Sequence, residues 1–203
     1  MKKMLFLGFC CVGLIVFSGC SAFRASVAPG DANTAKPMTA DYDFIDMKWF
    51  GENSANLMLD SDFLKTIKDK PTFVIMGIQN RSQQHIDTQA ITDTMRGIIL
   101  DKGKAQFVNE TQRDNLLREQ GYQLANCTPE TRVQIAKQTG ANYMISGSLV
   151  EMKERSAREV RASRKEDVYY QLTMEITDLT SSLVVWQKQQ ERLRQASKPI
   201  IGW

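Results

Sequence analysis

The sequence has 203 residues, 42% hydrophobic and 24% charged, with 26 Lys and Arg against 23 Asp and Glu. Past the first 19 residues, which hold Lys2 and Lys3, 184 remain with 24 basic and 23 acidic groups. A chain so close to neutral lacks the strongly basic footprint of a nucleic-acid binder, and its length suffices for one domain with a real core.

Met1-Lys2-Lys3 opens the chain, an uncharged run from Leu5 to Phe17 follows, and Ser18 and Gly19 lead into Cys20. That is the layout of a secretory signal. The run is short for a spanning helix, which needs about 20 apolar residues. The stretch VFSGCS resembles a bacterial lipobox, in which the cysteine becomes the acylated N-terminus of the mature chain, with Phe17 a tolerated choice at its position. A plain signal peptide cut nearby and an uncleaved anchor are the competing readings. Residues 1–19 are expected as a lipoprotein signal and Cys20 as the lipidation site. One acyl chain holds a protein only marginally, whereas two or three hold it stably. The mature protein is then tethered to a membrane without crossing it.

Residues 20–40 follow Cys20 with Ala, Ser, Thr, Pro and Gly and few large apolar side chains, the composition of a flexible tether. Twenty such residues span about 25 Å as a coil and at most about 70 Å fully extended. One folded domain is expected over 41–203. Its first segment, DYDFIDMKWFGENSANLMLDSDFLKTI, places Phe44, Met47, Phe50, Leu57 and Leu64 at helical intervals, with an interruption at Gly51-Glu52-Asn53. PTFVIMGIQN reads as a buried strand after Pro71. DTQAITDTMRGIILDKG places Ile91, Met95, Ile98 and Ile99 on one helix face, with Asp87 or Thr88 as cap and Gly103 as stop. KAQFVNE is a second strand, and TQRDNLLREQGYQL a helix from near Thr111 to Gly121. Thr128 and Pro129 start the helix TPETRVQIAKQTG with a partial capping box. ANYMISGSLVEMK is a strand. DVYYQLTMEITDL alternates with Tyr170, Leu172, Met174 and Ile176 on one face, and LVVWQKQQERL returns as its hairpin partner. The order predicts an α/β (α+β) domain whose mixed sheet of about four to five strands is flanked by helices.

Catalytic grammar is thin. Cys10 and Cys11 lie in the signal and Cys20 is acylated, so Cys127 has no partner for an internal disulfide. It precedes a helix start, a place that can activate a thiol, although a small filler beside the helix is the plainer reading. His85 is the sole histidine and sits in the polar run QNRSQQHIDTQ. No phosphate-cradling glycine motif occurs. The expectation is a non-enzyme with no cofactor and no metal.

Four stretches, IQNRS, ITDTMRGIILDKGKAQFV, IAKQTGANYMISGSL and YYQLTMEITDLTSSLVVWQ, resemble in order and spacing the LpoB family. The same α/β unit is similar to the domain of the CsgG and TolB N-terminal groups. The resemblance covers about residues 70 to 190. It implies an outer-membrane lipoprotein, on the periplasmic face, that binds and activates a peptidoglycan synthase, a class A penicillin-binding protein, and so regulates cell-wall synthesis and shape. Ser21, next to Cys20, is not the aspartate that retains lipoproteins in the inner membrane. Two features depart from the family pattern: a short tether with only Pro29 and Pro37, and a charged insertion, KERSAREVRASRKED, between two strands.

That insertion carries Arg155, Arg158, Arg161 and Arg164 at three-residue steps. It reads either as a solvated hairpin arm or as a docking arm for an acidic surface, on a partner or a neighbouring copy, where arginine's planar fork pairs with carboxylates. Asn80 and Arg81 read as turn chemistry or as a partner contact at a sheet end. Trp49, Trp186 and Trp203 are candidate anchors, with Trp186 expected in the core, and the tail KPIIGW is either packed down or available to a partner. The alternative function is a structural subunit of an outer-membrane ring or of an export or flagellar lipoprotein assembly, as in CsgG-like proteins. In that case the arm and tail serve self-association.

Overall fold

A computed structural model describes residues 29–37, 39–121, 126–155 and 164–198, the side chains of 155, 164, 197 and 198 excepted. The chain divides into residues 1–35 and 36–203. In the first unit Asp31 accepts from the Asn33 amide at 2.8 Å and closes a turn. The second unit carries every element below.

Helix α1 (Phe44–Leu59) begins at a complete capping box. The Asp43 carboxylate accepts from the amides of Ile45 and Asp46, and the Asp46 carboxylate accepts from the Asp43 amide, which satisfies donors that a helix start leaves open. The interruption expected at 51–53 is not there. The helix runs through Gly51, and the break falls at Asp60–Ser61, ahead of the short α2 (Asp62–Thr66). Gly51 has a packing role instead. A Cβ there would lie 2.6 Å from the Thr94 Cβ and 3.1 Å from the Ile91 carbonyl, so glycine lets a second helix press against α1.

That second helix is α3 (Gln89–Asp101), which follows strand β1 (Thr72–Arg81). Its buried residues Ile91, Met95 and Ile99 match the face read from the sequence. Next come β2 (Gln106–Phe107), α4 (Glu110–Glu119), α5 (Pro129–Gln138), β3 (Tyr143–Arg155), β4 (Arg164–Asp178) and β5 (Val184–Lys198). The strand expected in KAQFVNE shrinks to two residues that pair parallel with β1 at the sheet edge. The sheet order is β2-β1-β3-β4-β5, parallel on either side of β1 and antiparallel from β3 to β5.

Each sheet face buries a separate core. Under α1 and α3 lie Phe50, Phe73, Ile75, Ile78, Ile145, Leu149 and the alternating β4 set Val168, Tyr170, Leu172, Met174 and Ile176. Under α4 and α5 lie Val74, Met76, Leu117, Cys127, Ile135, Ala136, Met144 and Leu179. A bulge between Ile75 and Ile78, with Gly77 at φ +81°, changes which parity of β1 faces which core. Full burial of a side chain such as Leu172 contributes about 1.5–3 kcal/mol. Helices cover the first face across β1, β3 and β4. On the second face the apolar core stops near Met144, and past the buried Ser146 and Thr177 no helix of the described residues covers the rest of β3, β4 and β5 on that side.

Candidate interaction surface

At the end of the sheet where β1 and β3 finish, the incoming chain is fastened down. Ala40 is buried, and its carbonyl accepts from the Tyr170 hydroxyl at 3.4 Å. The Tyr42 amide donates to Gln84 Oε1 at 3.1 Å, while Gln84 Nε2 donates to the Tyr170 oxygen at 2.6 Å and to Glu151 at 3.1 Å. Lys153 bridges Asp41 at 3.1 Å and Glu166 at 2.9 Å. The hydrogen bond to Glu166 is the main reason its ammonium is held above the usual lysine range, with Asp41 adding to it. Burial pushes the Tyr170 phenol up to about 12, the Gln84 bond pulling the other way. Tyr42 is raised too, by burial first and then by the Asp46 and Asp43 carboxylates.

Beside this root sits a charged clasp that the sequence reading did not find. Asp46 is 0% exposed and receives the Arg192 Nε at 2.6 Å and the Arg194 Nε at 2.9 Å. Arg194 also reaches Asp43 at 2.8 Å, and the Arg192 guanidinium lies 5.1 Å from the centre of the Trp49 ring. The clasp ties the N-terminus of α1 to the edge strand β5. Its signal was present in the sequence: Arg192 and Arg194 share parity with Trp186, which faces the core, so cations on that face require buried acids.

The expected contact residues separate. Asn80 Oδ1 accepts from the Ser82 amide at 2.9 Å and its Nδ2 donates to the Gln84 carbonyl at 2.8 Å, so its side chain shapes the 82–85 loop. Arg81 is exposed at the end of β1. It lines a groove of about 850 Å³ between α5 and the sheet, with Arg132, Lys137, Ser146 and Glu175. Of the arm, Arg155 and Arg164 are strand residues, in register with Glu166 and Lys198, whereas Arg158 and Arg161 lie outside the described residues, as do Cys20 and Trp203. Residues 153–155 and 164–167 of the suggested insertion are strand and extend β3 and β4. Trp186 is half-buried against the first core. His85 is exposed, and Cys127 is buried in the second core just ahead of the Thr128 cap. They do not meet in one site.

On the open face one cross-strand row stands out. Met152 pairs with Tyr169 and Tyr169 with Leu193, and Met152 and Leu193 are each 56% exposed.

The model of the family described as the peptidoglycan-synthase activator LpoB matches residues 51–192, more than half of the chain. The chain belongs to the LpoB family. The LpoB C-terminal domains of Salmonella enterica and Escherichia coli superpose with TM-scores of 0.55 and 0.54 at 17% identity, each covering 72% of this chain and 98% of theirs. The solution structure of Escherichia coli LpoB gives 0.51 at 16% identity, over 86% of this chain and 85% of the other. At such identities the likeness speaks for the fold. No curated protein sequence matches. The LpoB match begins at Gly51 and ends at Arg192, so the root residues 40–43, Asp46 and Arg194 lie outside it. Among the described residues, no helix is long and apolar enough to cross a membrane.

Proposed function

We propose that the protein is an outer-membrane lipoprotein, anchored through Cys20, that binds a class A penicillin-binding protein from the periplasmic side and activates its synthesis of peptidoglycan. The observation that carries this reading is the family match over residues 51–192. The sequence adds the lipobox ending at Cys20, Ser21 after it, and a tether up to residue 40. Activation of this kind requires an anchor, a reach and a recognition face, and the chain itself needs no catalytic group. Arg81, Arg155 and Arg164 lie where β1 and β3 end and β4 begins, which suits partner contacts at that end of the sheet, and Arg158 and Arg161, in the sequence between the last two, are proposed with them. Asn80 supports Arg81 by fixing the loop that follows it.

The test uses the acylated protein in detergent with purified class A synthases. Co-precipitation of one synthase and faster glycan polymerisation are expected. Absence of both with every class A synthase of the same cell would end the reading.

A further inference from the structure

The open half of the sheet is chemically uneven. Its central row, Met152–Tyr169–Leu193, runs straight across β3, β4 and β5. Facing strands stand about 4.8 Å apart, so the row is about 10 Å wide. Scattered apolar side chains on a surface need no explanation, but a contiguous run of three is a different case. Burying Met152 and Leu193 would stabilise the monomer, yet no helix of the described residues is laid over them. Carboxylates frame this stripe on both sides. Glu154 is in register with Asp167 in one flanking row, and Glu191 closes the other, Arg81–Val150–Gln171–Glu191, whose far end on β1 is basic. Four residues of strand separate the two rows, about 13 Å, enough for the width of one helix or a pair of extended segments.

We propose that this stripe is a protein-docking face whose occupant is a basic, apolar-anchored surface of the peptidoglycan synthase. The assignment rests on the functional reading above and adds to it the face used and the chemistry of the partner. Charge favours one kind of occupant. Among the described residues, the open-face positions of β3 to β5 carry Glu154, Asp167, Glu175 and Glu191 against Lys165, with Arg81 of β1 at the edge of the face; the three carboxylates nearest the stripe are Glu154, Asp167 and Glu191. A second copy would present the same excess of carboxylates, so self-association through this face begins against like-charge repulsion. A partner with Lys or Arg around an apolar side chain fits both features. The apolar row then supplies the desolvated centre and the carboxylates a rim that governs encounter rate.

The experiment measures binding of the detergent-solubilised lipoprotein to the synthase that the wild type binds. Met152→Gln with Leu193→Gln keeps side-chain size on exposed positions and should weaken binding at least ~10-fold, as truncation of interface-centre residues does. Glu154→Lys with Glu191→Lys should slow association and invert its dependence on salt. Leu100→Gln, another exposed apolar residue on α3, should change neither. Melting temperatures of all variants should stay within about 2 °C of wild type, because exposed substitutions cost little. Wild-type affinity in both double variants overturns the face and leaves the function standing. Loss of a wild-type oligomer in Met152→Gln, Leu193→Gln would give the face to a second copy and overturn the occupant. A wild type that binds no synthase removes the functional reading and this occupant with it.

Discussion

Replacing Asp46 by alanine is the sharpest probe of how this fold is held closed. The carboxylate is fully buried and accepts from Arg192 at 2.6 Å, from Arg194 at 2.9 Å and from the Asp43 amide at 3.2 Å. Alanine leaves Arg194, whose side chain is 6% exposed, with Asp43 as the only remaining carboxylate these contacts give it. Removing one partner of a buried ion pair costs about 3–5 kcal/mol, because the surviving charge stays out of water. Arg192 softens the loss, since its side chain is 22% exposed and still has the Trp49 face. In a domain of this size each kcal/mol moves the melting temperature by about 2–4 °C, so a fall of roughly 6–20 °C is expected by differential scanning calorimetry. The second half of the experiment removes the orphan. Arg194→Met in the Asp46→Ala background should recover part of the loss, with a coupling above about 1 kcal/mol. An Asp46→Ala protein within ~1 kcal/mol of wild type would refute the argument that the clasp is a desolvated pair.

Gly51→Ala should destabilise by about 1–3 kcal/mol in thermal melts despite alanine's better helix propensity, because the new methyl meets Thr94 and the Ile91 carbonyl; a neutral or stabilising result would mean that α1 and α3 shift apart at little cost. Tyr170→Phe removes the bond from Gln84 and the bond to the Ala40 carbonyl, so a loss of about 0.5–1.5 kcal/mol and faster hydrogen exchange at the Tyr42 amide are expected. The Tyr170 phenol, raised to about 12 when folded, favours the native state while it is protonated. That contribution is fully present below about pH 10, the ordinary tyrosine value, and is lost as pH climbs toward 12. Lys153, also raised, acts in the same direction, so alkaline denaturation followed by phenolate absorbance should be cooperative rather than a smooth titration. Cys127→Ala with His85→Ala should leave stimulation of a synthase unchanged, and lost stimulation with an intact melt would reopen a catalytic reading.

The elements legible in the sequence were those whose pattern depends on one neighbour at a time. The Tyr170–Leu172–Met174–Ile176 alternation needs only a covered face, and the Thr128-Pro129 start needs only its own backbone; both appear as read. Gly51 misled because a glycine within a helix carries the same letters whether it breaks the helix or admits another one, and only the approach of Thr94 decides. The 153–167 stretch, read as a hairpin arm or a docking arm, extends β3 and β4 at both of its ends, and Lys153 and Glu166 belong to strands that project past the core, where alternation no longer has to be apolar. Half of the clasp was legible, since the parity of Arg192 and Arg194 calls for buried acids, but the acid that answers Arg194 lies 148 residues away and nothing singles out Asp46 until the sheet brings the two together.

The same contrast between near and distant neighbours bears on the docking face proposed above. The larger core, the clasp and the fastening of residues 40–42 at Tyr170 and Gln84 lie on one side of the sheet. The second core is filled only as far as Met144, and beyond it Met152 and Leu193 are exposed on paired strands. Apolar area left uncovered forfeits about 25 cal/mol per Å², and a chain selected for stability alone would replace those side chains with polar ones at no loss to the core. A rigid, incompletely covered sheet has another use. The backbone beneath its side chains is already ordered by the strand pairing, which lowers the entropy cost of binding, and the docking proposed for Met152 and Leu193 would use that order without opening the core on the covered side.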